Sequence, residues 1–390
     1  MDNSGKAEPS YRKSLGLVEL VSLGVGGTIG SGIFVVPGIA AGIAGPSSLF
    51  AWIFVALSAV CVALSLAWIQ SRSPGGTPFV AIFEPVFGPR ASGVLATVYL
   101  VSSVFGVATI AAGLGQYFGF FSVPHILAAE IFVIMAFLGI NLVGIALSGR
   151  TENILTAAKI VPIVLIAAAL LPFIRPENLV PARAASLPDI LKVVIIVYWP
   201  FTGFEISAIP VEETRDPRTI SRALLLVMLL VCTIYLMLNV ALIGAVGSAD
   251  LAASPAPVAT AAGLVFSGAA PLVAIIGIIT MFSALNAYII GTSRVLQNMA
   301  GRYRLPRLAE LTPRGTPKTA LVISCILSGG LLFFSNSFNL LASVAVLTTL
   351  VPYIAICLVS LKLAREPRVR ALGIVGAATT AAILVLYFVF

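Results

Sequence analysis

Residues 26–34 read Gly26-Gly27-Thr28-Ile29-Gly30-Ser31-Gly32-Ile33-Phe34, four glycines in seven positions, inside a stretch apolar enough to cross a membrane. Backbone left unpaired at that depth is costly, so a run that discourages a regular helix needs a reason. A nucleotide loop is excluded. Gly27 to Gly32 has the GxxxxG spacing, but Ile33-Phe34 stand where Lys and Ser or Thr are required, and no GxGxxG register fits. Close helix packing is the plain alternative, because Gly26 and Gly30, then Gly38 and Gly42, have GxxxG spacing. Yet eight glycines fall between 24 and 45, with Pro37 among them and Pro46 after, which favours an unwound helix. Such backbone survives in a membrane only where protein or a water-filled cavity satisfies it. A second segment of the same kind, Val197 to Pro210, carries Pro200, Gly203 and the carboxylate of Glu205 in one apolar run.

Around these two segments the chain reads as an all-α integral membrane protein. Of its 390 residues 59% are hydrophobic and 10% charged, and mean hydropathy is +1.09. Eleven candidate crossings lie near 16–44, 46–70, 91–119, 126–147, 153–173, 190–210, 222–246, 268–298, 318–335, 338–361 and 371–390. The last ends abruptly, and a surface helix is the other reading for it. The polar residues 1–15 form a tail with no small-residue cleavage site behind it, so no signal peptide is expected. With that tail cytoplasmic, Arg175, Arg183 and Lys192 fall outside and Lys159 within a crossing, leaving 19 of the 23 basic residues on the inner side. The positive charge is thus a topology signal in the plasma (inner) membrane, and no nucleic-acid surface is expected. Cys61, Cys232, Cys325 and Cys357 each stand alone in an apolar run, and His125 is the one histidine, so neither a metal site nor a Ser/His/Asp triad is expected. No cofactor is implied.

The interrupted crossings are the first and the sixth, the pattern of an inverted repeat of five plus five helices, 16–173 and 190–361, with 371–390 peripheral. Their broken ends suggest chemistry. Amides from Gly30 to Ile33 would start a half-helix whose positive end favours a carboxylate. Carbonyls freed near Trp199 to Thr202 would accept from an ammonium. Together they describe a pocket for a zwitterion.

These motifs resemble the amino acid/polyamine/organocation (APC) transporters, whose first helix carries a motif close to GxxGSGIF and whose sixth carries one close to F-x-G-F-E. The stretch SPGGTPFVAIFEPVFGPRASG at 73–93 is similar to the family's loop after helix 2, except that Pro78 and Val80 replace aromatics. SRVLQNMAGRYRLPRL at 293–308 is similar to its helix 8 end, and TAAKIVP at 156–162 to its helix 5 stretch. The resemblance implies a LeuT-like fold with helices 1 and 6 unwound at mid-membrane, here one helix short of the usual twelve. It implies that Ile29, Gly30, Ser31 and Gly32 hold a substrate carboxylate, that Trp199, Phe201 and Thr202 hold its amino group, and that the Trp199 and Phe201 rings gate the pocket. Ser103, Ser283, Asn286 and Tyr288 are possible lining residues.

Lys159 and Glu205 are the candidates for proton coupling. Lys159 lies six residues past Asn153, about 9 Å into its helix at 1.5 Å per residue. It either snorkels to the interface or, as the resemblance implies, faces helices 1 and 8 where sodium-coupled relatives bind sodium, with carbonyls of Gly24–Gly27 and Ser283 as partners. Glu205 either titrates or makes a structural hydrogen bond to the broken backbone of helix 1. The expectation is an amino acid permease, not an enzyme, working by alternating access as a proton symporter without sodium. An antiporter, exchanger or exporter is the near alternative, and a channel, sensor or membrane enzyme the remote one. Its partners are a small amino acid, protons and the lipid bilayer; the oligomeric state is left open.

Overall fold

The computed structural model describes residues 13, 15–72, 77–143, 149–181, 185–312 and 315–389, the side chains of 149–152 excepted. The tail through residue 12, the Gly75-Gly76 pair, Arg183 and Arg314 lie outside the described residues. The first crossing is two helices, α1 (Leu17–Thr28) and α2 (Ser31–Ala44). A short 3-10 turn at Gly45–Ser47 leads into α3 (Ser48–Ser71), the second crossing. There follow α4 (Glu84–Phe120), α5 (Ile126–Val143) and α6 (Gly149–Leu170). α4 bends at Gly88, whose φ of 76° only glycine adopts freely.

The second half opens with α7 (Leu187–Tyr198), whose N-cap Ser186 accepts from the Asp189 N–H. After the sixth crossing come α8 (Thr219–Val246), the short α9 (Ser248–Ala253) and α10 (Pro257–Ala262), and the long α11 (Ala269–Arg302). The chain closes with α12 (Pro306–Ala309), α13 (Lys318–Phe334), α14 (Phe338–Leu363) and α15 (Pro367–Val389). Among the described residues, nine helical spans are long and apolar enough to cross a membrane. One of these, Leu17–Ser71, contains the first two predicted crossings, and α13 is an apolar helix of 17 residues. Each of the eleven predicted segments therefore finds a helix.

Two findings modify the expected outline. Pro37 lies inside α2 without ending it, and the interruption of the first crossing is confined to Ile29 and Gly30. The sixth crossing does not resume as an α-helix beyond its break. It continues as 3-10 turns, Phe204–Ala208 and then Val211–Glu213, a tighter and longer-rising coil that carries the chain across with fewer residues.

The broken helices sit at the centre. α1 packs on α6, α8 and α11, α2 packs on α7 and α9, and α7 on α3, α14 and α15. α15 presents a narrow buried face, Gly373, Gly376, Thr380 and Ile383, to α14 and α3. Both glycines are needed there for close approach: a Cβ at Gly376 would lie 2.6 Å from the Cys357 sulfur, and one at Gly373 2.9 Å from the Cys357 carbonyl oxygen. The 23-residue length of α15 is enough to span.

Candidate functional site

An α-helix ends with four carbonyls that lack an intrahelical donor, and begins with N–H groups that lack an acceptor. The first break places both kinds at mid-crossing. On the α1 side the carbonyls are taken up one by one: Val25 O accepts from the Ile29 N–H at 2.8 Å, Thr28 O from the Tyr235 hydroxyl at 2.8 Å, and Gly26 O from Lys159 Nζ at 3.4 Å. Lys159 is 1% exposed and also donates to Ser283 Oγ at 2.8 Å. It does not snorkel. Its ammonium lies at the negative end of α1, where a cation is stabilised by up to about 2 kcal/mol in a partly buried geometry. Asn153 and Thr156, about two turns and one turn earlier on α6, also meet α1: Ser22 Oγ donates to Asn153 Oδ1 at 2.7 Å, and Thr156 Oγ1 to Ser22 O at 3.2 Å.

On the α2 side, N-cap Gly30 has φ −144° and ψ −137°, outside both the helical and the strand regions, and the N–H groups of Ser31, Gly32 and Ile33 begin the new helix. The glycines of the opening stretch act chiefly by close approach. A Cβ at Gly32 would lie 2.6 Å from Pro200, one at Gly30 2.6 Å from Ala284, and one at Gly27 2.9 Å from the Gly203 carbonyl oxygen. Packing and unwinding, set against each other by the sequence, are both present: the helix breaks over two residues and its flanks touch the second break.

That second break turns through Trp199–Phe201, an extended Thr202 and Gly203 at φ 95°. Gly203 is doubly constrained, because a side chain there would also meet Gly27 O at 2.6 Å. Glu205, 2% exposed, accepts from three donors: the Tyr99 hydroxyl at 3.0 Å, the Tyr353 hydroxyl at 2.6 Å and the Gly203 N–H at 3.1 Å. Its backbone partner thus belongs to its own crossing, whereas helix 1 was the expected one, and the two tyrosines join it to α4 and α14.

Between the breaks lies a small buried cavity. Gly27, Thr28 and Gly30 to Gly32 form one wall, Trp199 and Thr202 the other, with Ile110 and Tyr288 at the sides. Its interior offers about 10 Å³ to the centre of a water molecule, room for about one water. The Trp199 indole N–H donates to Ser31 Oγ at 3.3 Å, and its ring lies 5.8 Å from that of Tyr288, whose hydroxyl is 3.1 Å from Thr202 Oγ1. The carbonyl of Trp199 accepts from both the N–H (3.1 Å) and the hydroxyl (2.8 Å) of Thr202.

Other expected residues lie elsewhere in this conformation. The Phe201 ring packs against Trp52 and Tyr235, with centroids 5.8 and 5.2 Å away. Ser103 bonds the Tyr99 carbonyl at 2.9 Å, and Asn286 accepts from Asn141 of α5 at 2.8 Å. Thr28, Ile110, Tyr99 and Tyr353 were not singled out from the sequence. The signal was there for the tyrosines: a phenol deep in an apolar run, away from the interfacial belt, needs a buried partner.

Contacts tie down both ends of the first crossing. At one, Leu15 pairs as a parallel bridge with the chain after the sixth crossing: its N–H donates to Glu213 O at 3.0 Å and its carbonyl accepts from Arg215 at 2.9 Å. Beside it Arg294 Nε meets Glu213 Oε1 at 2.7 Å in a largely buried ion pair. At the other, α9 lies over α2 so closely that Gly38 faces the Leu251 carbonyl oxygen and Gly42 faces Ala252.

The amino acid permease family model matches residues 15–390. The branched-chain amino acid permease BcaP of Bacillus subtilis is 26% identical over 273 residues, 64% of this chain and 59% of that protein's length. The L-methionine/branched-chain amino acid exporter YjeH of Escherichia coli is 27% identical over 344 residues, 84% of this chain and 80% of the relative. An uncharacterised transporter of Mycobacterium tuberculosis is 32% identical over 315 residues, 78% of this chain and 69% of the relative. The match runs through both broken crossings and out to the last helix: this chain is a multi-pass membrane protein of the amino acid permease family, within the APC superfamily.

Proposed function

We propose that the chain is a proton-coupled, sodium-independent secondary transporter of neutral amino acids that works by alternating access. The observation that carries this reading is the meeting of two broken crossings at one buried cavity, with the start of α2 on one side and irregular backbone of the sixth crossing on the other. The N–H groups of Ser31 and Gly32, beside Ile29 and Gly30, receive the substrate carboxylate. The Trp199 carbonyl is occupied by Thr202, so those of Phe201 and Thr202 take the ammonium. Among the described residues no charged side chain lines the cavity, and Glu205 is held by two tyrosines, so none of them pairs a second substrate charge. Ile110 and the Trp199 and Tyr288 rings suit a small or aliphatic side chain, and two relatives are named for branched-chain amino acids.

Lys159 supports coupling to protons. Its amine already stands between the α1 carbonyls and Ser283, and a second cation there would meet direct repulsion. In this reading the residues 16–173 and 190–361 form the two inverted repeats, residues 1–15 are a cytoplasmic tail in the plasma membrane, and Trp199 gates the site. The Leu15 bridge and the Arg294–Glu213 pair open on the inner side, and α9 lifts from α2 on the outer.

The test is uptake of labelled amino acids by the purified protein in sealed liposomes, with sodium absent and with or without an inward proton gradient. Accumulation of neutral, aliphatic substrates that requires the gradient is the expected result. Uptake that ignores the gradient but needs amino acid loaded inside supports the second reading, an exchanger or exporter, for which the exporter among the relatives is the specific ground. Unsaturable flux, or binding without flux, would overturn both.

A further inference from the structure

Away from the central cavity, the start of α4, the end of α14 and the turn into α15 border two neighbouring recesses, the first of them also lined by the end of α3. The first, of about 390 Å³, has Trp68, Ile69 and Val359 as apolar wall, and Arg72, Arg365 and Glu366 at its rim. The second, of about 540 Å³, sets Phe87 and Leu358 below Lys362 and Arg370. Positions 362–370 hold four basic residues, Lys362, Arg365, Arg368 and Arg370, with Glu366 the one acid among them. Glu366 pairs with Arg72, whose guanidinium lies 5.2 Å over the Trp68 ring. One carboxylate therefore offsets one of five cations. Because α14 ends at Leu363 and α15 begins at Pro367, the turn stands where two helices leave the apolar layer.

We infer that this pair of recesses binds the headgroup of an anionic phospholipid, with its phosphate at Arg72, Arg365, Lys362 and Arg370 and its acyl chains along the apolar walls. The amphipathic profile selects the occupant. A soluble anion would need only the cations, whereas these cations sit above apolar surface that opens toward lipid: Leu363 is 44% exposed and Phe87 36%. A basic pocket at helix ends on the positively charged face is the kind of site that anionic headgroups occupy. The guanidinium of Arg72 retains donors beyond those given to Glu366, because an arginine carries five N–H groups in a fork suited to phosphate. A bound lipid would tie α3, α14 and α15 together at one edge of the scaffold.

The full-length protein in neutral detergent is titrated with phosphatidylglycerol, with phosphatidylcholine and with inorganic phosphate, following melting temperature and the lipid retained in native mass spectra. Phosphatidylglycerol should raise the melting temperature and be retained, while the other two should do neither. Each cation near an anionic headgroup contributes about 1 kcal/mol, so Lys362→Gln with Arg370→Gln should weaken the response about thirtyfold. Arg72→Gln with Arg365→Gln should do the same. If loss of the Arg72–Glu366 pair prevents folding, the first pair, which leaves it intact, decides. Arg307→Gln with Lys318→Gln, outside the recesses, should change nothing. An equal response to phosphatidylcholine, a response to inorganic phosphate alone, or an equal loss in that control overturns the inference.

Discussion

The two breaks solve one problem by different means. In the first crossing α-helix stands on both sides of a two-residue gap, both residues keep negative φ, and the orphaned carbonyls are taken up by side chains from elsewhere, Lys159 and Tyr235. In the sixth the chain passes through a glycine at φ 95°, continues as 3-10 turns, and satisfies itself from within through the Glu205 carboxylate on the Gly203 N–H. The first is a gap in a regular helix held open by its neighbours. The second is an irregular segment that carries its own acceptor. This teaches where each is vulnerable: the sixth crossing to a change in its own backbone, the first to a change in what surrounds it.

The strongest way to break the comparison is Gly203→Ala. A positive φ strains alanine by about 1 to 3 kcal/mol, and overpacking against Gly27 O adds a similar amount, so transport in liposomes should fall about a hundredfold or more, with a lower melting temperature. Near-normal activity would mean that this turn is freer than its contacts imply.

Next comes Lys159→Met, which keeps the stem and removes the charge. Gradient-driven accumulation should vanish and the pH profile of uptake flatten, while counterflow between equal pools of substrate persists. A variant that merely melts earlier, with its pH profile unchanged, would assign Lys159 to structure alone.

Glu205→Gln should cost less. The amide can keep the oxygen that accepts from Tyr353 and Gly203 and places an NH2 where the other accepts from Tyr99, so one of three hydrogen bonds is lost, about 1 to 3 kcal/mol for a buried partner left unmade, or roughly tenfold in rate. Tyr353→Phe should cost about the same in rate. If Glu205 exchanges protons during transport, Glu205→Gln alone will also shift the pH profile.

The smallest effect sharpens the contrast. Gly30→Ala keeps a negative φ, and the one close neighbour of its Cβ is the methyl of Ala284, 2.6 Å away. It should reduce uptake about tenfold or less, for overpacking of about 1 kcal/mol, and Ala284→Gly should restore most of it. Such rescue is expected in the first crossing and not at Gly203, where the conflict is with backbone.

Much of this was legible in the sequence because bilayer physics writes it in composition. Runs of about 20 apolar residues give the crossings. Clustered Gly and Pro inside two of those runs give the breaks, since such residues are tolerated there only where other groups repair the backbone. What the sequence could not decide is which way side chains point. Trp199 faces the cavity, whereas Phe201, two residues on, packs behind it against Trp52 and Tyr235, because a 3-10 turn at Trp199–Phe201 separates the two rings. Asn286 turns to α5 and Tyr288 to the cavity, a difference of two positions around one helix. The partners of Glu205 come from residues 99 and 353, and no local pattern links positions so far apart in the chain. Composition and local order thus determined the crossings and the breaks within them. Only the packing of distant helices decided which groups meet, because a buried polar atom is satisfied by whatever neighbour the fold brings within about 3 Å.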